Sequence, residues 1–152
     1  MNRILIPLFL AVFFLGACTS PDPAADESAI RDLIDQVARA NNDGDADAWL
    51  DAWDDPFWYM PSYQQVVTNR DSLEAMTRAA FAGWSTDITI EPQDIDVQGD
   101  WAHVHSEVRG LAVSPDASDS AHIDLKQLVV YHRTAEGWKI SRLMINSNKW
   151  EM

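Results

Sequence analysis

The segment Trp101-Ala102-His103-Val104-His105-Ser106-Glu107-Val108-Arg109 alternates small or apolar residues with large, polar or charged ones over nine positions. Successive side chains of a β-strand point to opposite faces, so period-two alternation marks a strand with one covered face. Ala102, Val104, Ser106 and Val108 form the inner side, and Trp101, His103, His105 and Glu107 the outer. The partner strand is 122–133. If paired residue numbers sum to 233, Glu107 stands opposite Lys126 and Arg109 opposite Asp124, two attractive cross-strand pairs from one register. Tyr131, Val129, Gln127 and Leu125 then join the inner face. A four-residue turn, Thr134-Ala135-Glu136-Gly137, makes the next pairing sum to 271 and adds Ile140, Arg142, Met144 and Asn146 to the inside. Trp101, Leu128, Val130, Leu143 and Ile145 are left outside among charges, and an apolar patch of that kind reads as an interface. A slip of one residue would exchange the two faces.

Outward from this pair, a strand over 87–97 precedes Gln98-Gly99-Asp100, and the last strand covers 138–147. Upstream the period is helical. Asp22-Pro23 supplies an N-cap and first residue for a helix with Ile30, Leu33, Ile34, Val37 and Ala38 on one side, stopping at Asn41-Asn42-Asp43-Gly44. Asp45 caps a short second helix carrying Trp49, Leu50 and Trp53, ended by Asp54-Asp55-Pro56. Asp71 with Glu74 resembles a capping box for a third helix bearing Leu73, Met76, Ala80 and Phe81. Residues 57–67 read as a short hairpin. Three helices followed by a meander predict an α+β domain with an antiparallel sheet.

The chain has 152 residues, 47% of them hydrophobic, with 11 Lys and Arg against 24 Asp and Glu for a net charge of −13. One domain is the expected size, and the charge argues against a nucleic-acid partner because it repels phosphate. Arg3, the apolar run 4–15 and Gly16-Ala17-Cys18 form a secretory signal that is too short to span a bilayer. Leu15-Gly16-Ala17-Cys18 resembles the lipobox of bacterial lipoproteins. That resemblance implies removal of residues 1–17, lipidation of Cys18 and a tether over 18–23, leaving the domain at 24–152. Cys18 is the only Cys, so no internal disulfide is possible. Cleavage there removes Arg3 and leaves 10 bases against 24 acids, a charge of −14 that makes the lipid the membrane anchor. Thr19, where a retention signal would have Asp, points to the periplasmic face of the outer membrane.

Several segments together resemble the nuclear transport factor 2-like superfamily in its SnoaL-like branch: Asn42-Asp43-Gly44-Asp45-Ala46-Asp47-Ala48-Trp49, the Asp54-Asp55 step, the helix beginning near Asp71, Gly99-Asp100-Trp101-Ala102 and Gly137-Trp138-Lys139-Ile140. The resemblance implies a cone-shaped fold, a curved sheet around a blind apolar pocket, and a homodimer formed through the convex sheet face. The superfamily includes ketosteroid isomerase, which needs a Tyr, a general-base Asp and a protonated Asp. Matched from Gly44-Asp45, those positions fall near Val37, Met60-Pro61 and Val129, none of which can serve.

The pocket then carries two sets of side chains. Arg142, Gln127, Asn146 and Ser106 are its polar set, and Trp49, Trp53, Tyr59 and Tyr131 its aromatic set. An inward guanidinium stays charged and requires an anion, either a ligand carboxylate or an internal partner such as Asp54, Asp55 or Glu74, unless the side chain snorkels to the rim. His103-x-His105-x-Glu107 has the alternation of a zinc site, but it lies on the outer face with Lys126 competing for the carboxylate. His122 and His132, near strand ends, read as solvated. No catalytic constellation, metal site or cofactor motif stands out. The leading expectation is a lipid-anchored cell-envelope domain binding a small, partly apolar ligand, neutral or anionic, without turnover. The alternatives are an isomerase, dehydratase or hydrolase of the same superfamily, and a partner-binding lipoprotein that uses the outer sheet face.

Overall fold

Helix α1, Pro23–Asp43, begins where the sequence places it. The Asp22 carboxylate accepts the Ala24 N–H, and proline occupies the first turn, where its missing N–H costs nothing. The computed structural model describes residues 22–148, so Cys18 and the signal segment lie outside the described residues. Gly44, at φ 68°, closes α1 in the left-handed region that glycine tolerates best. Asp45 then caps α2, Ala46–Asp51, through the Ala48 N–H. The third helix, α3, is Arg70–Gly83, and its cap is Asn69, which accepts from the Ser72 N–H. The expected Asp71 start is therefore two residues late. Glu74 pairs with Arg78 instead of reaching back to a cap.

Five strands form one sheet in the order β1-β5-β4-β3-β2: β1 Trp53–Met60, β2 Ser85–Gln98, β3 Trp101–Val113, β4 Ser120–Thr134 and β5 Gly137–Ser147. The α+β cone is as expected, but the sheet is mixed. Trp53 ends no helix; it opens β1, which runs parallel to β5 along the sheet edge. Of the hairpin expected over 57–67, one antiparallel bridge remains, Tyr59 to Val67.

The β3–β4 register is the expected one, with Glu107 opposite Lys126 and Arg109 opposite Asp124. The β4–β5 register sums to 271 from Thr134–Gly137 to Tyr131–Ile140, and then a bulge at Ser141 shifts it to 272. One extra residue in a strand exchanges the faces of everything beyond it. Arg142, Met144 and Asn146 therefore point outward, while Leu143 and Ile145 point into the cone. This is the main correction to the expected faces, and it moves five assigned residues at once. Strand β2 has a similar bulge between Pro92 and Asp94, so Ile88 and Ile90 on one side of it and Ile95 and Val97 on the other all pack inward. Proline suits that edge position because it has no N–H to donate.

Ile30 and Ile34 of α1, Leu50, Phe57, Leu73, Val104 and Val129 are at most 5% exposed and form the centre of the core. Backbone-directed side chains fix the helices to the sheet. The Asn42 carboxamide acts as an extra strand residue, donating to the Ile88 carbonyl at 3.0 Å and accepting the Ile88 N–H at 2.8 Å. Thr86 donates to the Asn41 carbonyl, and Lys139 Nζ donates to the Asp51 carbonyl at the end of α2. At Gly110 a Cβ would lie 2.0 Å from the Asp87 carbonyl oxygen, so β2 and β3 approach there only because the residue has no side chain.

Candidate ligand pocket

The concave side of the sheet and the C-terminal half of α1 enclose a cavity of about 170 Å³. Each wall follows from an alternation already described. Ile88 and Ile90 come from β2, Val108 from β3, Ile123, Leu125 and Gln127 from β4, and Leu143 and Ile145 from β5 beyond the bulge. Val37 and Asn41 close it from α1, Trp49 from α2 and Tyr59 from β1. Beneath lies a void of about 20 Å³ bordered by Ile34, Val129, Tyr131 and Ile140, with Val37, Ile90, Gln127 and Leu143 shared between the two.

Of the eight expected pocket residues, Trp49, Tyr59 and Gln127 line the cavity and Tyr131 lines the void below it. Ser106 stands opposite Gln127 on β3, fully buried. Trp53 is buried behind the wall, its ring 5.2 Å from Trp49, 5.4 Å from Phe57 and 5.4 Å from Tyr59. Arg142 and Asn146 are outside. Arg142 lies on the outer face with its guanidinium 5.8 Å from the Trp101 ring centre, so neither a ligand anion in the cone nor an internal carboxylate neutralises it. Leu143 and Ile145, assigned to the interface, are cavity wall. The polar residues on either side of Leu143 were the available signal: with Arg142 and Asn146 polar and Leu143 and Ile145 apolar, burial of the apolar pair demands a bulge before residue 142.

The cavity's polar groups differ in how they are held. Asn41 Nδ2 donates to the Val37 carbonyl at 2.8 Å. Neither the Tyr59 hydroxyl nor the Gln127 carboxamide is hydrogen-bonded to any described residue. Burial pushes the Tyr59 hydroxyl up to about 12 and raises that of Tyr131 as well, because a phenolate is poorly solvated there. Both stay protonated at neutral pH and act as donors, not as bases. No carboxylate, imidazole, thiol or amine lines the cavity among the described residues.

The opposite side of the sheet collects the charged chemistry. His132, expected to be solvated, bonds Asp54 Oδ2 through Nδ1 at 2.8 Å and stacks on Trp101 at 4.3 Å between ring centres. Sequence separation concealed this pair, since its members are 78 positions apart. His103, His105 and Glu107 share that outer face, where Glu107 is paired with Arg109. Trp101, Leu128 and Val130 remain there as expected, joined by Trp58 and Met144.

Residues 22–144 match the family model of the SnoaL-like domain, and the chain belongs to that family. The solved structures it resembles include a Kribbella flavida protein, Kfla4162, at 21% identity and a TM-score of 0.77, over 86% of this chain and 95% of that one. A Novosphingobium aromaticivorans protein aligns at 22% identity and a TM-score of 0.76, over 86% and 94% of the two chains. A ketosteroid isomerase-like protein from Erwinia carotovora atroseptica aligns at 19% identity and 0.71, over 84% and 96%. At these identities the likeness is one of fold. No curated protein matches the chain by sequence.

Proposed function

We propose that this SnoaL-like domain binds, without chemical turnover, an uncharged and mostly apolar molecule of about one ring in size. The lining of the cavity carries this reading. Proton-transfer chemistry needs a group that exchanges a proton near neutral pH within reach of the ligand, and among the described residues the only titratable group in the wall is Tyr59, held protonated by burial. The volume of about 170 Å³ compares with the roughly 150 Å³ of an apolar cavity that admits benzene. With Arg142 outside, the anionic ligand considered from the sequence has no counter-charge in the cone. The Erwinia protein's isomerase-like designation does not transfer, since the positions matched to that chemistry hold Val37, Met60-Pro61 and Val129.

Thermal unfolding of the full chain with a panel of neutral single-ring compounds tests the reading. A true ligand at ten times its Kd stabilises by about 1.4 kcal/mol and raises Tm by about 5 °C. A flat response across the panel would remove the proposal, and consumption of any bound compound would replace it with an enzymatic one.

The lipobox resemblance supports placing the domain at a bacterial envelope membrane through acylated Cys18. No helix among the described residues is long and apolar enough to cross a membrane. Radiolabelled fatty acid should enter the wild-type chain in a bacterial host and not Cys18→Ser. Equal label in both would end the anchoring proposal.

A further inference from the structure

Gln127 is the polar side chain that borders both the main cavity and the void beneath it. It is 8% exposed, and its carboxamide is bonded to no described residue. Ser106, directly across the strand pair, is fully buried with an unpartnered hydroxyl among the described residues. Asn41, the other amide of the wall, is held by the Val37 carbonyl. A carboxamide offers two N–H donors and one acceptor, and here, unlike the sealed Ser106 hydroxyl, they reach the cavity without a protein partner, where a leucine would present only apolar surface. Stability alone would favour a residue like its neighbours Leu125 and Leu143.

We infer that Gln127 is a specificity residue: the cone takes an uncharged single-ring compound bearing one hydroxyl or carbonyl oxygen, and that oxygen bonds the Gln127 carboxamide. The inference rests on the reading of the cone as a ligand pocket and names its ligand class. The ring packs among Trp49, Ile88, Val108 and Leu143, and the oxygen points toward the floor that Gln127 shares with the lower void. A hydroxyl can donate to the amide oxygen and a carbonyl can accept from the amide nitrogen, so both belong to the class. Ring carboxylates do not, because the wall offers no counter-charge for the hydration they would surrender.

Calorimetric titration of the full chain with phenol, toluene and benzoate, for wild type and Gln127→Leu, tests this directly. Wild type should bind phenol about tenfold more tightly than toluene and leave benzoate unbound. Gln127→Leu should lose the preference while its unliganded Tm equals or exceeds that of wild type, a gain that loss of a merely structural amide would not produce. Gln127→Met, closer in length, provides the same comparison if leucine disturbs packing. Equal binding of phenol and toluene by wild type overturns the specificity role and leaves the pocket reading intact, as does a phenol preference that survives both substitutions. Failure of every ring to bind overturns both, and tight benzoate binding overturns the exclusion of charge and with it the proposed class.

Discussion

Leu143→Asp is expected to destabilise the protein by about 4 kcal/mol or more, enough to leave much of it unfolded at 37 °C, whereas Met144→Asp one residue on should change Tm by only a few degrees. The bulge at Ser141 sets the difference. It puts Leu143 in the wall of the cone at 6% exposure, and it puts Met144 on the outer face at 40%. An aspartate at 143 must either lose its hydration with no cation nearby or take up a proton, and a buried uncompensated charge costs about 3–5 kcal/mol. That is a large share of the roughly 5–15 kcal/mol by which a domain is stable. Urea unfolding followed by tryptophan fluorescence reads both variants. A mild Leu143→Asp beside a severe Met144→Asp would mean that the register continues unbroken at 271. Leu128→Asp belongs to the same experiment, because Leu128 is 48% exposed beside Met144 on the outer face. It should leave the unfolding midpoint in place and, if that face joins two copies, halve the sedimenting mass.

Asp26→Asn is expected to cost about 2 kcal/mol at neutral pH, with an acid dependence that identifies the cause. Asp26 sits in the first turn of α1, is 6% exposed, and takes both guanidinium nitrogens of Arg133 from the end of β4. Arg133 also lies 4.5 Å over the Trp138 ring and bonds the Gly99 carbonyl, so one side chain ties the start of the first helix to two strand connections. Charged hydrogen bonds contribute about 1.5–3 kcal/mol, and solvent at the Arg133 end, about a third exposed, holds the figure to the lower half. The Arg133 hydrogen bonds lower the Asp26 pKa below its usual 3.8, against the opposing effect of burial. A carboxylate depressed on folding contributes stability that is complete above its unfolded pKa and is lost as pH falls through the folded one. The gap in urea midpoint between wild type and Asp26→Asn should therefore stay constant from pH 7 to about pH 5 and narrow below about pH 4. A gap that persists unchanged to pH 2 would assign the effect to packing and not to the ion pair.

The β3–β4 pair shows how much of this fold was legible in the sequence. Two opposite-charge pairs and one apolar row selected a single register from residue types alone, because the alternation has a period of two and only one phase satisfies both conditions. Helix caps at Asp22 and Asp45 were equally local, since a short side chain bonds an N–H two or three residues ahead. The third cap was missed because Asn69 and Asp71 are both good caps and the choice falls to where the chain leaves the β1 edge. Half of the eight expected pocket residues, Trp49, Tyr59, Gln127 and Tyr131, border the cavity or the void below it. The misplacement of Arg142, Asn146, Leu143 and Ile145 has a single origin in Ser141. A bulge is set by competition between the turn at 134–137, which fixes one end of the hairpin, and the apolar residues beyond, which must face the helices.

By itself, the sequence determined the class of the domain, the starts of its first two helices, the pairing of its central strands and its resemblance to the SnoaL-like family, because each of these depends on neighbours in the chain or on a repeating period. It also supplied the expectation of a lipidated Cys18 from a contiguous motif. Tertiary structure alone decided that Trp53 begins a parallel edge strand, that His132 meets Asp54 at a separation of 78 positions, and that the described residues line the cone without a charge. Those outcomes depend on where a strand finds its partner and how far a bulge rotates the residues beyond it, and both are settled by packing the whole apolar surface at once.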